Sequence, residues 1–594
     1  MTEYPWAVQA SGTDYVRGFG IVYDGVGGAL VTGDFKGKAT FGSLSLTSPG
    51  AADAFVLHVN ASGALDWAIQ VDGTSDVRSS GIATDGAGGA LVTGSFDGNA
   101  FFGATLLTSR GDFDPFVMHV TASGTIDWVV QAGGESYNLA NGIAHDGAGG
   151  ALVTGDFRGV ASFGSTLLTS RGFFDAFVMH VTASGAIDWA VQVGDTSSDS
   201  NRPTLSEVRG SGIAHDGVGG ALVTGFFTGK ALFGSTSLAS SGSFDAFVMH
   251  VTASGAIDWA VQAGGKYFDV PNGIAYDGAG GALVTGYFTG NSFFGSTLLA
   301  SRGGSEVFVL HVTASGAIDW AVQAGGTLDD EGLGIAYDGV GGALVTGFFS
   351  ETATFDSTSF TSQGLSDAFV MHVTAAGFVD WVVQAGGTFY TAGWGIAYDG
   401  GSGSALVTGY FMGSASFGLT SLTSFGNAAT CFAALLTPPP PWPRALPHTP
   451  PWSLSLPVVV AALASSLALL LGLLLACGYL CGYRRQCRHG ENMRVSRDRA
   501  HLDLQLLEHR FKQRTKFVYL VEDAPGHVPP RPTSEALPCS VGAIVQGPRC
   551  KGSKSRGCCG SGAGSVATES SSASVSHAVL EPQQIDPSTG QSTG

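Results

Sequence analysis

The sequence predicts an all-β fold in which seven four-stranded units close into a ring, and three observations carry that expectation. Tryptophans of an (I/L)DWAVQ-type segment stand at Trp6, Trp67, Trp128, Trp189, Trp259, Trp320 and Trp381, 61 residues apart except for one step of 70. The acidic position of a GIAxDG turn recurs in register at Asp24, Asp85, Asp146, Asp216, Asp277, Asp338 and Asp399. The chain opens on the tryptophan segment, Tyr4 to Ala10, whereas the seventh GIAYDG copy runs to Thr437 without one. A fixed period of this size marks propellers and solenoids, and only a closed ring makes use of matching broken ends.

Residues 273–325 show the elements of one unit in order. GIAYD leads through GAGG into ALVTGYF; the longer segment TGNSFFGSTLLASRGGSE reaches VFVLHV; TASG then turns back into AIDWAVQ. Runs rich in Val, Ile, Phe, Trp and Thr, bounded by Gly, Ser and Asp, are strand and hairpin chemistry. They are apolar at nearly every position, as strands buried on both faces are. Four strands per repeat is the composition of a propeller blade. The expected fold of residues 1–437 is therefore a seven-bladed β-propeller of four-stranded blades, closed by the N-terminal strand. Closure matters because an open array would expose two long sheet edges.

GIAYDGAGGALVTGYFTG, followed by DAFVMHV and a glycine turn into a Trp strand, resembles the bacterial-type β-propeller repeat family, whose units share a D-x-x-G-x-hydrophobic-V-T-G core. The resemblance covers about three quarters of the chain, with a transmembrane segment following it. It implies the propeller fold and no catalytic motif, and fold alone does not imply activity. Gly-Gly-Ala stands here where the family often has Gly-Asn before the second strand.

Charge divides the chain. Up to Thr437 there are 12 Lys and Arg against 37 Asp and Glu, and beyond it 16 against 10, which together give the net −19 of the whole. A strongly acidic domain argues against nucleic acid or anionic lipid as its partner. All 8 cysteines lie at or beyond Cys431, so nothing reads as a disulfide framework. Nine prolines between Pro438 and Pro457 favour extended polyproline II. At about 3.1 Å per residue some 20 such residues reach roughly 60 Å, and 438–454 read as a stalk.

Residues 455–483 carry no charge and exceed the roughly 20 apolar residues a bilayer requires, so a single transmembrane helix is expected. Arg484, Arg485, Arg488, Arg494, Arg497 and Arg499 follow it, against Arg444 alone nearby on the other side. This places the C-terminus in the cytoplasm and the propeller outside or in a lumen. MTEYPWAVQA enters the first strand with no basic start and no apolar region, so the expectation is a truncated start with the signal peptide missing. Residues 484–520 form a basic juxtamembrane segment, in which HLDLQLLEHRFKQRTKFVYL reads either as an amphipathic helix on anionic lipid or as solvated chain. Residues 521–594 are expected to be a disordered tail, rich in Ser and Gly at its end. Cys477, Cys481 and Cys487 stand where S-palmitoylation is chemically convenient.

Repeated polar residues are read first as structure. His58, His119, His180, His250, His311 and His372 hold one position of the third strand in six blades. At that radius sevenfold neighbours stand too far apart to share one ion, so a hydrogen-bonded histidine between blades is expected rather than a metal ring. Asp24 and its equivalents precede Gly in a tight hairpin and supply one carboxylate where calcium needs several oxygens, so a turn role is favoured. Asp53, Asp114, Asp175, Asp245, Glu306 and Asp367, like Asp66 and Asp127 before the tryptophans, read as strand-end polar groups. His145 and His215 replace Tyr or Thr in two GIAxDG turns without a partner motif. No catalytic constellation, metal site or cofactor motif emerges.

The loops joining each outer strand to the next inner strand share one face and differ from unit to unit, which describes a scaffold presenting a recognition surface. Tyr15, Tyr137, Tyr267, Phe268, Phe389, Tyr390 and Trp394 in those loops suit stacking on sugar rings or anchoring a protein. Asn60, in Asn-Ala-Ser, is the one N-glycosylation sequon of the propeller. The function expected is a single-pass membrane protein of the cell surface whose propeller binds a glycan or protein ligand, while its tail recruits a cytoplasmic partner. A membrane-tethered propeller hydrolase or lyase, and a purely structural surface protein, are the alternatives.

Overall fold

The computed structural model describes residues 6–195, 206–400, 403–426 and 428–438. These belong to the first of two units of the chain, Met1–Pro450. They are all-β, with no helix among them. Seven antiparallel units follow one another, and the third shows the pattern: Asn138–His145, Ala151–Phe157, Asp175–Val181 and Ile187–Asp195 pair in that order. A bulge between Ala140 and Gly142 offsets the first strand against the second. The second and third strands are buried along their whole length but for His180, while the outer strand is only half-buried.

The core lies between units. Ile143, Val153, Phe157, Phe163 and Phe177 of the third unit cluster with Ala83, Leu91 and Val117 of the second. Each fully buried phenylalanine contributes about 1.5–3 kcal/mol on burial. One such cluster joins every unit to the one before it, and the first unit packs on Leu406, Cys431, Ala433 and Leu435 of the seventh.

The seventh unit is made from both ends of the ring, as the offset of the repeats predicts. Thr391–Asp399, Ser404–Phe411 and Thr430–Leu436 are completed by Ala7–Gly12, with Ala7 opposite Ala434 and Ala10 opposite Cys431. Trp6 adds its carbonyl, which accepts from the Leu435 amide at 2.9 Å. The glycine of each GIA segment meets the next inner strand: a Cβ on Gly81 would stand 3.1 Å from Ile143, and one on Gly273 3.1 Å from Ile335. The last of the series, Gly395, would meet the Gly20 Cα and the Ile21 amide, both at 3.0 Å, so the inner strands return to the first unit.

One element was not expected. The segment between second and third strands folds into a hairpin, Val160–Phe163 with Thr166–Thr169 in the third unit, and Gly133–Gly134 at the end of the preceding outer strand pairs with it. The sequence hides it because each arm is only four residues of mixed Ser, Thr and Leu and its other partner lies in the neighbouring unit.

In a four-stranded meander the DGxGG and TASG turns fall on one face and the interunit loops on the other. Ala7 and Leu436 both sit at the turn face, so the chain enters and leaves the ring opposite the variable loops. Residues 439–594 lie outside the described residues, and with them the membrane segment 455–483, the segments 484–520 and 521–594, and Cys477, Cys481 and Cys487. Among the described residues no helix is long and apolar enough to cross a membrane.

Candidate ligand-recognition face

The turn face is built from a repeated clamp. Oδ1 of Asp85 accepts the Ala87 and Gly89 amides at 2.7 and 2.8 Å, tying its own turn as the Asp-Gly pattern predicts. Its other oxygen lies 3.0 Å from His119 Nε2, whose Nδ1 is 2.7 Å from Asp127. Units 1 to 6 share this arrangement, with 2.9–3.0 Å on the Nε2 side and 2.7–3.2 Å on the Nδ1 side. Each histidine also stacks on the tryptophan that follows the second carboxylate, 5.8 Å away for His58 and Trp67. These histidines therefore bond within one blade; the expectation that they bridge blades is corrected, because their partners are the turn and outer strand of their own sheet. In the sixth unit both ring nitrogens of His372 face carboxylates, and its imidazolium, which has two N–H donors, satisfies both partners.

Burial alone would raise the acids of these turns. The histidine and two amides outweigh it and hold Asp85, Asp146, Asp216, Asp277 and Asp338 below their ordinary range. For His372, burial, which lowers the pKa, is overcome by Asp338 and Asp380, and the pKa is raised. The tryptophans bridge units instead: Trp67 covers Gly124, whose φ of 79° and close contact exclude a side chain, and its Nε1 donates to the Ala122 carbonyl at 3.2 Å.

The opposite face hangs on a second repeated set. The buried Asp114 accepts the Arg110 amide at 3.0 Å and Gln131 Nε2 at 2.6 Å; Asp175 and Asp367 are held alike. These are the strand-end carboxylates of the sequence, and they fasten the loops to the outer strand. Burial pushes Asp53 up to about 6.

Where this face meets the axis, the units cease to be alike. The residue before the last Phe of ALVTGxF is Asp34, Ser95 and Asp156 in units 1 to 3, then Phe226, Tyr287, Phe348 and Tyr410 in units 4 to 7. A polar arc therefore faces an aromatic one. In the polar arc Arg17 grips the buried Asp34 at 2.9 and 2.7 Å and lies over the Tyr15 ring at 4.4 Å. Asp156, pushed up to about 6 by burial against the pull of Arg209, accepts from Asn141 at 3.1 Å. In the aromatic arc a continuous row runs from Phe348 to Tyr390 (6.1 Å), Tyr410 (5.6 Å), Trp394 (6.1 Å) and Phe19 (5.6 Å).

The predicted ligand residues divide accordingly. Tyr137, Tyr267, Phe268 and Phe389 are exposed on the loops, with Tyr137 stacked on Phe113 and Phe268 tilted on Phe244. Tyr15, Tyr390 and Trp394 are half-buried; Tyr390 and Trp394 both stack on Tyr410, whereas Tyr15 lies under Arg17. Phe19 belongs with them although the sequence reading passed over it in its loop, and so do Phe348 and Tyr410, which lie in strands; variation inside ALVTGxF was the available signal for those two. Asn60 lies on the turn face, where its Oδ1 accepts the Ser62 and Ala64 amides and its Nδ2 donates to Asp66 at 2.7 Å. His145 and His215 rest over their own turns, their ring nitrogens 3.0–3.3 Å from glycine amides. No group of three metal-ligating side chains stands together among the described residues.

No family model matches the chain, and no curated protein matches it. Among solved structures it is similar to "Dihydro-heme d1 dehydrogenase NirN in complex with DHE", at 9% identity and a TM-score of 0.30 over 70% of this chain and 74% of that one. That likeness is too distant to carry an argument. The strand pairing itself gives the conclusion: the described residues form a β-propeller-like all-β fold.

Proposed function

We propose that this chain is a single-pass membrane protein whose seven-bladed propeller, of the bacterial-type repeat family and shut by its N-terminal strand, presents the variable-loop face to a glycan or protein ligand and acts by binding. One observation carries the reading. Strands, clamps and carboxylate anchors repeat almost unchanged, while the loops on the face opposite the chain's exit differ from unit to unit and expose Tyr137, Tyr267, Phe268 and Phe389. The uncharged stretch 455–483 and the arginines after it support the anchor and its orientation. A hydrolase would need two carboxylates free to exchange protons at the mouth. Asp330, raised to about 7 by burial, has both oxygens taken by the Gly326 and Ser350 amides.

Protease treatment of intact source cells, followed with an antibody to the propeller, tests the orientation. Cleavage from outside is expected, and protection until permeabilisation would refute a surface role. Glycan and surface-protein screens with the full chain should then give ligands whose binding falls in graded steps in Tyr137→Ala, Tyr267→Ala, Phe268→Ala and Phe389→Ala. Abolition of turnover by a single substitution would favour the enzyme instead.

A further inference from the structure

The row of rings at the axis has an acid at one end. Glu331 is half-buried and pairs in register with Phe348, so the two side chains share one face of the sheet. At its register position other units carry Arg17, Arg78 and Arg209, each of which finds a carboxylate: Asp34, Asp76, and Asp156 with Glu207. Glu331 finds no counterpart. Among the described residues no cation and no hydrogen-bond donor reaches it. Asp329 stands two residues before it; its register partner Phe348 packs on Tyr390 of the next loop at 6.1 Å, and Tyr287 holds the position of Phe348 in the preceding unit.

A carboxyl partly withdrawn from water without a cation is unfavourable, and burial, reinforced by Asp329, holds Glu331 up at about 7. Ring faces attract cations, the more so when water is excluded. An incoming positive group would gain both terms together. Lysine-like hydration would cost more than that of an alkylated ammonium, whose charge is spread over methyl groups already suited to aromatic walls.

We propose that Glu331, Phe348, Tyr390 and Tyr287 form a binding site for an organic ammonium group, of the kind carried by a choline head or an alkylated amine, at the aromatic end of the variable-loop face. This deepens the recognition reading and rests on it. The polar arc across the mouth, with its arginines already paired to acids, offers such a ligand no second cation site.

The test is titration of the full-length chain in nonionic detergent with choline and, in parallel, with 3,3-dimethylbutan-1-ol, its uncharged carbon isostere, by calorimetry. Saturable choline binding with a Kd on the order of 1 mM is expected, about tenfold tighter than the isostere. Binding should tighten as pH rises from 6 to 8, because the carboxyl must be ionised. Glu331→Gln keeps the shape and should cost about tenfold, and Tyr390→Leu about fivefold. Equal binding of choline and isostere, no saturation, or an unchanged Kd in Glu331→Gln with its melting temperature intact would overturn the proposal. If loop-face ligands still depend on Tyr267 and Phe268 while choline does not bind, this inference alone falls. Loss of both would remove the recognition reading as well.

Discussion

Replacing His372 by leucine would give the sixth unit what the seventh already has, where Leu435 stands at the histidine's register position and Pro5 at that of its second carboxylate. The imidazole lies 2.9 Å from the nearly buried Asp338 and 2.7 Å from Asp380, whose side chain is 33% exposed. The first contact is a charge-assisted bond of about 1.5–3 kcal/mol; the second, screened by water, adds less than about 1 kcal/mol. Their pH dependence has a definite sign. The raised His372 contributes stability that is fully present below its ordinary 6.5 and lost as pH rises through its native value. The lowered Asp338 contributes stability present above its ordinary 3.8 and lost as pH falls through its native value. The clamp is therefore strongest between about pH 4 and 6.5. At pH 5.5 the substitution should cost about 3 kcal/mol, and at pH 8.5 less, since a ring that has lost its proton keeps one N–H. An unfolding entropy of about 2.1 cal/mol/K per residue over about 430 residues gives about 0.9 kcal/mol/K. The loss in Tm at pH 5.5 is then about 3 °C. Tryptophan-monitored melting of the full chain at both pH values measures it, and an equal loss at the two would refute the charged clamp.

Two further outcomes follow from the seam and the polar arc. Gly395→Ala drives a methyl against the Phe19 carbonyl and the Gly20 and Ile21 backbone at 2.9–3.0 Å, so it should cost about 1–3 kcal/mol in denaturant unfolding, whereas Gly50→Ala, with open space around it, should stay within about 0.5 kcal/mol; equal behaviour would mean that the ring does not close there. Arg17→Leu strands the fully buried Asp34 carboxylate and should cost about 3–5 kcal/mol, and the double variant Arg17→Leu with Asp34→Leu should recover part of it; strict additivity of the single losses would contradict the pairing.

The fold was legible because both anchors, the tryptophan and the turn aspartate, keep one spacing, and because the strands are apolar enough to admit no other burial. The use of the N-terminal segment in the last unit was legible for the same reason. The hairpins were not, since a run such as TLLT at Thr166–Thr169 pairs only with its own short arm and that arm with another unit. The clamp was half visible: Asp24, His58 and Asp66 repeat together in six units, but 34 residues separate the first two. Only the meander shows that turn and third strand belong to one sheet. The candidate site was least legible. Loop variation pointed to Tyr390 and Trp394, whereas Phe348 and Tyr410 hide within strands whose neighbours hardly change, and Glu331, though in a variable loop, drew no notice in a search for aromatics.

The seventh unit ties these features together. It has lost the histidine, the second carboxylate and, with Thr430 in place of Asp or Glu, the loop anchor, and it is the unit through which the chain both enters and leaves. In units 1 to 6 the turn joining third and outer strands positions the clamp; in the seventh that turn is replaced by two chain ends, so a carboxylate after the third strand would have no fixed partner. Burial of Leu435 beside Ala433 and Cys431 substitutes apolar contact for the clamp and leaves this unit's stability independent of histidine titration. The same unit supplies Tyr390, Trp394 and Tyr410 to the aromatic row, so the part of the recognition face built on it rests on a seam held by strand pairing, apolar packing and the Gln9 amide's bond to the Thr423 carbonyl.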